Sequence, residues 1–145
     1  MPLFTLPSIL RCLVFVLAAA SAGACAQTTI TLRLSEAVTV PSVGRVTFIH
    51  AEDERCPVDV HCIAAGSAYA LLWVELGTKK GLVAVQTSQR RLDLEVENRF
   101  FGTEFCLISL EPRPSQAKPV HPHSRIITLL LRQNSSSNST CPSGA

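Results

Sequence analysis

Residues 68–76 read Ala-Tyr-Ala-Leu-Leu-Trp-Val-Glu-Leu, and they precede the polar segment Gly77–Gly81. Apolar side chains occupy both alternating sets of positions in this stretch, which is typical of a central β-strand that is covered on both faces. Beyond the polar segment, Leu82 and Ala84 continue the alternation, so residues 68–86 predict a β-hairpin. The hairpin indicates a fold built from antiparallel strands.

Apolar and polar residues alternate in further segments of strand length, and in one of them Val46, Phe48 and His50 share a side. No amphipathic helical run follows the N-terminal region, and Glu111–Ser124, with four prolines, predicts an extended loop. We therefore predict an all-β fold, a single small antiparallel β-sandwich or barrel-like domain over residues 27–132. The further predicted strands are Ile30–Leu34, Val46–His50, Leu92–Val96, Phe105–Leu110 and Arg125–Arg132. The side chains expected in or near the core are Leu32, Leu34, Phe48, Leu72, Trp73, Val74, Leu94, Leu107, Leu110, Ile127 and Leu129.

The N-terminal region predicts export. Residues 12–20 carry no charge and form an apolar run about as long as the hydrophobic region of a signal peptide, shorter than the roughly 20 residues of a membrane-spanning helix. Small residues follow, and Ala24-Cys25-Ala26 matches the A-x-A pattern of a cleavage site. We predict a signal peptide over residues 1–26 and a mature protein that begins at Gln27 and is periplasmic or secreted.

A second interpretation of the same residues stays open. Ser21–Cys25 resembles a relaxed bacterial lipobox, in which Cys25 is acylated and becomes the first mature residue, although Ala22 stands where the pattern usually has leucine. The protein would then be an outer-membrane lipoprotein, and its contact with the membrane would be the lipid anchor at Cys25.

The mature chain carries almost no net charge. Without Arg11, there are 12 Lys and Arg residues against 11 Asp and Glu residues, which leaves a net charge near +1. The basic residues form no block, and Arg90-Arg91 is only a doublet. The electrostatic footprint of a nucleic-acid-binding protein is therefore absent from the sequence.

Two cysteines close a short loop after one of the predicted strands. Cys56 and Cys62 bracket five residues that include Pro57. Because an exported chain leaves the reducing cytosol, this spacing predicts a Cys56–Cys62 disulfide that fixes the loop. A zinc site is disfavoured, since structural zinc sites have two to four residues between ligands and need further ligands, and only His61 is adjacent.

Cys106 and Cys141 are the other two mature cysteines. Cys106 lies in a predicted strand, where both a buried free thiol and a second disulfide with Cys141 fit the sequence. Cys141 belongs to residues 133–145, a Ser- and Asn-rich tail with no apolar residue before this cysteine. The tail is predicted to be disordered.

The histidines suggest one candidate metal site. His121-Pro122-His123 places two imidazoles on the same side of an extended loop. Copper or zinc needs a third ligand, for which His50 and His61 are the candidates, and no carboxylate or cysteine lies at ligand spacing from the pair. We therefore predict no metal site and no cofactor, and envelope copper or zinc binding is kept as the alternative function.

The sequence contains no recognisable catalytic motif. Glu52, Asp53 and Glu54 precede Arg55, but adjacent side chains on a strand point to opposite faces, and Arg55 is expected to neutralise one of the carboxylates. There is no Gly-x-Ser-x-Gly elbow, no glycine-rich phosphate loop and no helical zinc motif. We predict no catalytic residues and a protein that is not an enzyme.

The cysteine-containing segment is similar to a group of bacterial exported proteins of unknown function. Residues 46–57, with Cys62 and Gly66, resemble the strand of that group followed by Glu-Asp-Ser-Arg-Cys-Pro, four residues, a cysteine and commonly Trp-Ala-Gly. In this chain Glu54 replaces the serine and Ala64 replaces the tryptophan. The resemblance covers residues 38–131 and implies a β-sandwich-like domain in the bacterial envelope, but it implies no activity.

These patterns together predict an exported bacterial envelope protein that acts as a non-catalytic binding or structural module. Its expected partner is an unidentified protein or small-molecule ligand in the cell envelope. Aromatic residues make up only 6% of the chain, with a single tryptophan, which disfavours a broad carbohydrate-stacking platform.

Overall fold

A computed structural model describes residues 27–87, 97–133 and 141–142 of the protein. More than half of these residues lie in β-strands, because β-branched and apolar residues alternate with polar ones along most segments. A short 3-10 turn, Pro122–Ser124, precedes the last strand. The strands are β1 (Gln27–Arg33), β2 (Ala37–Val40), β3 (Gly44–Asp53), β4 (Ala68–Leu76), β5 (Lys79–Gln86), β6 (Arg99–Phe100), β7 (Thr103–Glu111) and β8 (Ile126–Gln133).

The strands form two four-stranded antiparallel sheets that face each other. The first sheet has the order β1-β8-β7-β6, and the second, here named the hairpin sheet, has the order β2-β3-β4-β5. The predicted all-β antiparallel sandwich is confirmed. The turn of the predicted hairpin is shorter than expected, because Leu76 pairs with Lys79 and only Gly77 and Thr78 lie between them. The predicted signal peptide, Cys25, the predicted strand Leu92–Val96 and tail residues 134–140 and 143–145 lie outside the described residues.

The core lies between the two sheets. Phe48 and Leu72 point into it from the hairpin sheet, and Phe105 and Leu129 point into it from the first sheet. Full burial of an apolar side chain of this size stabilises the folded state by about 1.5–3 kcal/mol. Eight predicted core residues are buried, namely Leu32, Phe48, Leu72, Val74, Leu107, Leu110, Ile127 and Leu129. Leu34 packs against the core while partly exposed, and Leu94 lies outside the described residues.

The prediction that both faces of the 68–76 strand are covered is wrong. β4 is central in its sheet, and Ala70 and Val74 are buried in the core. Trp73, which was expected in the core, lies on the opposite face and is 38% exposed. The sandwich has two layers, so the first sheet covers one face of β4 and the other face points away from it.

An irregularity in β3 reverses the orientation expected for its last residues. Phe48 pairs with Leu72 and His50 pairs with Leu71, so Ile49 is an extra residue in the strand. His50, which was expected to share a face with Phe48, is therefore exposed. By the same shift the Asp53 side chain points into the protein and has no exposed surface.

Candidate functional site

Two long loops meet at one end of the sandwich, which we call the loop end. The cysteine loop (residues 54–67) connects β3 to β4, and the proline-rich loop (residues 112–125) connects β7 to β8. The two loops touch, since the Val58 amide donates to the Pro114 carbonyl at 3.0 Å. Binding residues of β-sandwiches concentrate on loops that a rigid pair of sheets positions. The loop end is therefore the candidate functional site.

A buried ion cluster ties the loop end to both sheets. Arg55 donates from Nε and Nη2 to the two carboxylate oxygens of Asp53, each at 2.8 Å, and Nη2 also donates to the Leu110 carbonyl. Arg125, just before β8, donates to Asp53 Oδ2 at 2.9 Å. Burial alone would raise the pKa of Asp53, but the hydrogen bonds and positive charge of Arg55 outweigh burial and lower this pKa. Arg55 thus neutralises one of the three carboxylates that precede it, as predicted, and that carboxylate is Asp53.

The cysteine loop is closed at both ends. Cys56 and Cys62 form the predicted disulfide, with Cα atoms 5.9 Å apart, and the Cys56 amide donates to the Ala65 carbonyl at 2.8 Å. Gly66 has a φ of +70°, which disfavours other residues, and a Cβ at this position would collide with the Glu54 carbonyl oxygen. The glycine is required because the two ends of the loop approach each other so closely.

Asp59 attaches the cysteine loop to the proline-rich loop. Its carboxylate accepts hydrogen bonds from the Ser115 hydroxyl and from the Gln116 and Ala117 amides at 2.8–2.9 Å. Hydrogen bonds from the Ala117 amide, the Gln116 amide and the Ser115 hydroxyl, in decreasing order of effect, lower the pKa of Asp59 to about 2. Asp59 is not recognisable from the sequence, because its partners lie 56 to 58 positions away and no local pattern marks them.

The cysteine loop presents two apolar side chains to solvent, which we call the apolar tip. Val58 is 63% exposed and Ile63 is fully exposed. The loop backbone around them is held by the disulfide, by Asp59 and by the Val58 amide. Side chains on an ordered backbone lose less conformational entropy on binding than side chains on a mobile one. The arrangement is suited to recognition of another surface.

A small open cleft lies at the base of the proline-rich loop. Its volume is about 220 Å³, below the range of roughly 300–1,000 Å³ that is usual for small-molecule pockets. The one guanidinium that lines the cleft, that of Arg125, already contacts Asp53. Its lining residues are Leu34, His50, Ala51, Val120, Pro122 and Arg125.

The two histidines of the proline-rich loop lie next to each other. The His121 and His123 ring centroids are 5.4 Å apart, and the His123 amide donates to His121 Nδ1 at 3.3 Å, so one of the four ring nitrogens is already used. His50 contacts Glu52 instead, and His61 is exposed in the cysteine loop. Among the described residues, neither His50 nor His61 joins the pair in a group of three ligand atoms within 4.8 Å.

Cys106 and Cys141 form a second disulfide, with Cα atoms 5.4 Å apart. Of the two alternatives that the sequence left open for Cys106, the structure has the disulfide. With Glu104 these cysteines make a group of three ligand-type residues, but both sulfur atoms belong to the disulfide. Glu104 is itself paired with Arg99 at 3.5 Å and with Arg132 at 3.9 Å. This group is therefore a structural cluster on the outer side of β7.

Strand geometry separates the clustered carboxylates near the cysteine loop. Asp53 points inward, whereas Glu52 is exposed and lies 3.3 Å from His50. Hydrogen bonds from Tyr69 and then from His50 lower the pKa of Glu52. Glu52 and Asp53 consequently occupy opposite faces of the hairpin sheet and do not form a carboxylate pair for acid–base chemistry.

Comparison with protein-family models, curated proteins and solved structures finds no match to this sequence. No part of the described chain is a helix of the length and apolar character that crossing a bilayer requires. The functional assignment therefore depends on the geometry of the loop end and of the exposed sheet faces.

Proposed function

We propose that this protein is an exported, non-catalytic binding module of the bacterial envelope and that it contacts a protein partner through the apolar tip. The observation that carries the proposal is the exposure of Val58 and Ile63 on a loop whose backbone is fixed. Fixed loops bind with a smaller loss of conformational entropy, and interface centres are usually apolar. Asp59, which directly follows Val58 and is exposed, supplies a charged group for the polar rim that such interfaces have.

A protein partner is favoured over a small molecule. The cleft at the loop end, at about 220 Å³, is small for a metabolite, whereas the apolar tip projects outward and needs a concave surface on its partner. The fully exposed Ile63 is the side chain whose burial would contribute most, at about 1.5–3 kcal/mol.

Export is supported by the N-terminal pattern and by the resemblance to bacterial exported proteins. Two disulfides suit an oxidising compartment, where such bonds persist. Cleavage before Gln27 would release a periplasmic or secreted module, and acylation of Cys25 would anchor the same module to the outer membrane. The intact mass of the mature protein from an envelope fraction distinguishes these alternatives.

Site-specific photo-crosslinking in intact cells tests the proposed contact. A photoreactive phenylalanine analogue replaces Ile63, and a matched control carries it in place of Thr29, which is exposed on β1 in the first sheet. We expect a discrete crosslinked species from position 63 that position 29 does not give. The same products from both positions, or none from position 63, would contradict the proposal.

Envelope copper or zinc binding is a second candidate, and the observation in its favour is the contact between the His121 and His123 rings. Two imidazoles without a third ligand make a weak site. Binding of either metal would need a further ligand from water or from a partner.

A further inference from the structure

The outer face of the hairpin sheet carries an exposed apolar strip. Trp73 on β4 pairs with Thr47 on β3 and with Leu82 on β5. The side chains of Ile49, Trp73 and Leu82 are 42%, 38% and 39% exposed, and Leu71 lies half-buried beside them. We name these four residues the outer strip. Contiguous apolar surface of this kind marks interaction sites more often than isolated exposed residues do.

One end of the outer strip is basic. Arg45 and Lys80 both pair across the sheet with Glu75, and Lys80 Nζ lies 3.0 Å from Glu75 Oε1. Arg45 and Lys80 are exposed, and the single carboxylate between them leaves a net positive charge. The hydrogen bond from Lys80 lowers the pKa of Glu75 most, and the hydrogen bond from Trp73 lowers it further, so this carboxylate stays ionised.

The other end of the outer strip is acidic. Glu52 pairs across the sheet with Tyr69, and both Glu52 and Glu54 are exposed. Burial and the hydrogen bond to Glu52 raise the pKa of Tyr69, and the negative charges of Glu52 and Glu54 act in the same direction. The strip is thus bounded by opposite charges along the direction of the strands.

We propose that two copies of this protein associate through their outer strips in a two-fold symmetric dimer. The two-fold axis lies between the hairpin sheets of the two copies and runs perpendicular to their strands. It places β4 of one copy antiparallel over β4 of the other. When the axis passes between Leu71 and Trp73, each Trp73 packs on Leu71 of the other copy. The same operation puts Arg45 opposite Glu52 of the second copy, twice, which is the self-complementarity that a two-fold interface requires.

The dimensions of the strip indicate a weak dimer. Three strands and the six steps from Tyr69 to Glu75 on β4 span about 14 Å by 20 Å, or roughly 290 Å² per copy. Stable complexes bury about 800 Å² per partner, so this interface is expected to form only at high protein concentration. The antiparallel arrangement directs the two loop ends away from each other. The inference therefore stands independently of the proposed role of the apolar tip.

Charge reversal at the two ends of the strip tests the symmetry directly. Sedimentation velocity of residues 27–145 between about 10 μM and about 1 mM covers the range of weak complexes. Arg45→Glu and Glu52→Lys each turn two attractive contacts into repulsive ones, so each is expected to weaken self-association by about tenfold or more. Mixing the two variants in equal amounts restores attraction at both contacts of the mixed dimer. Arg113→Glu, the same charge change on the exposed proline-rich loop, serves as the matched control.

The expected result is a dimer in the wild type and in the control, a monomer in each reversed variant, and a dimer in the mixture. Circular dichroism of every variant checks that the fold is retained. A wild-type monomer across the whole range would overturn the proposal. So would reversed variants that associate like the wild type, or a mixture that stays monomeric.

Discussion

Asp53 and Arg55, two residues apart in the chain, form a doubly hydrogen-bonded ion pair inside the loop end. Both N–O distances are 2.8 Å, the Asp53 side chain is fully buried, and the Arg55 side chain is 7% exposed. The pair exists because the extra residue at Ile49 turns Asp53 inward. Arg55 also donates a hydrogen bond to the Leu110 carbonyl on β7. It therefore couples the cysteine loop to the opposite sheet.

Loss of Arg55 is expected to destabilise the fold strongly. Arg55→Ala leaves Asp53 with Arg125 as its ion-pair partner, keeps only the backbone amide of residue 55 as a donor from that position, and removes a donor from the Leu110 carbonyl. Breaking a buried ion pair lowers the free energy of unfolding by about 3 kcal/mol or more. Urea unfolding of residues 27–145, followed by Trp73 fluorescence, measures the change. The matched variant Arg113→Ala, on an exposed residue, is expected to stay within about 0.5 kcal/mol of the wild type. Equal effects of the two substitutions would contradict the role of the ion pair.

Asp59 is expected to make stability depend on pH in the acid range. Its pKa in the folded protein is about 2, below the ordinary value of 3.8, so the unfolded chain takes up a proton first as the pH falls. The Asp59 carboxylate therefore stabilises the folded state fully above about pH 4, and this contribution is lost between about pH 4 and pH 2.

Urea unfolding at several pH values compares the wild type with Asp59→Asn. The pKa of Asp53 is lowered as well, and Asp53 remains in both proteins, so the difference in slope reports Asp59 alone. We expect the variant to lose less stability on acidification than the wild type does. Parallel curves would show that the contacts of Asp59 with the proline-rich loop do not form in solution.

The two disulfides are expected to stabilise the fold unequally. Their cysteines are 6 and 35 positions apart. In the chain-entropy model these loop lengths correspond to about 2 kcal/mol for Cys56–Cys62 and about 4 kcal/mol for Cys106–Cys141. Peptide mapping without reduction establishes the pairing, and unfolding of the two double-alanine variants measures the contributions. Free thiols after expression in an oxidising compartment, or a larger loss for the Cys56–Cys62 pair, would contradict this ranking.

Metal binding at the histidine pair is expected to be weak. His121 and His123 have neighbouring rings, but one ring nitrogen accepts the His123 amide. Calorimetric titration with Cu²⁺ and Zn²⁺ compares the wild type with the His121→Ala, His123→Ala double variant. The metal-handling alternative would be supported by a stoichiometric site that the double variant loses. Its dissociation constant would have to be below about 1 μM, a binding free energy of roughly −8 kcal/mol.

The sequence was sufficient for the fold class but not for the faces of the strands. Residues 68–76 identified a central strand because both of its faces are apolar. The same pattern cannot show which face is buried, and only the position of the first sheet decides that Leu72 is buried and Trp73 exposed. The extra residue at Ile49 is invisible in a single sequence, because it depends on the register with β4. One inserted position was enough to turn His50 outward, against the prediction, and Asp53 inward.

The candidate site was predictable where its contacts are local. The spacing of Cys56 and Cys62 predicted the disulfide. The proximity of Arg55 to residues 52–54 predicted an ion pair with one of their carboxylates, without identifying Asp53. Asp59 could not be identified, because its partners belong to a distant loop, and the pairing of Cys106 with Cys141 depends on how the tail returns to β7. Contacts between distant segments follow from the topology, which a local pattern does not contain.

The central claim is that the apolar tip lies on a preordered loop, and hydrogen exchange at the Val58 amide tests it most directly. In the oxidised protein this amide donates to the Pro114 carbonyl at 3.0 Å. We predict that it exchanges about 100-fold or more slowly than in an unstructured peptide and that Asp59→Ala removes most of this protection. Exchange at the rate of an unstructured peptide, with Cys56–Cys62 intact, would show that the loop is not fixed and would contradict the account.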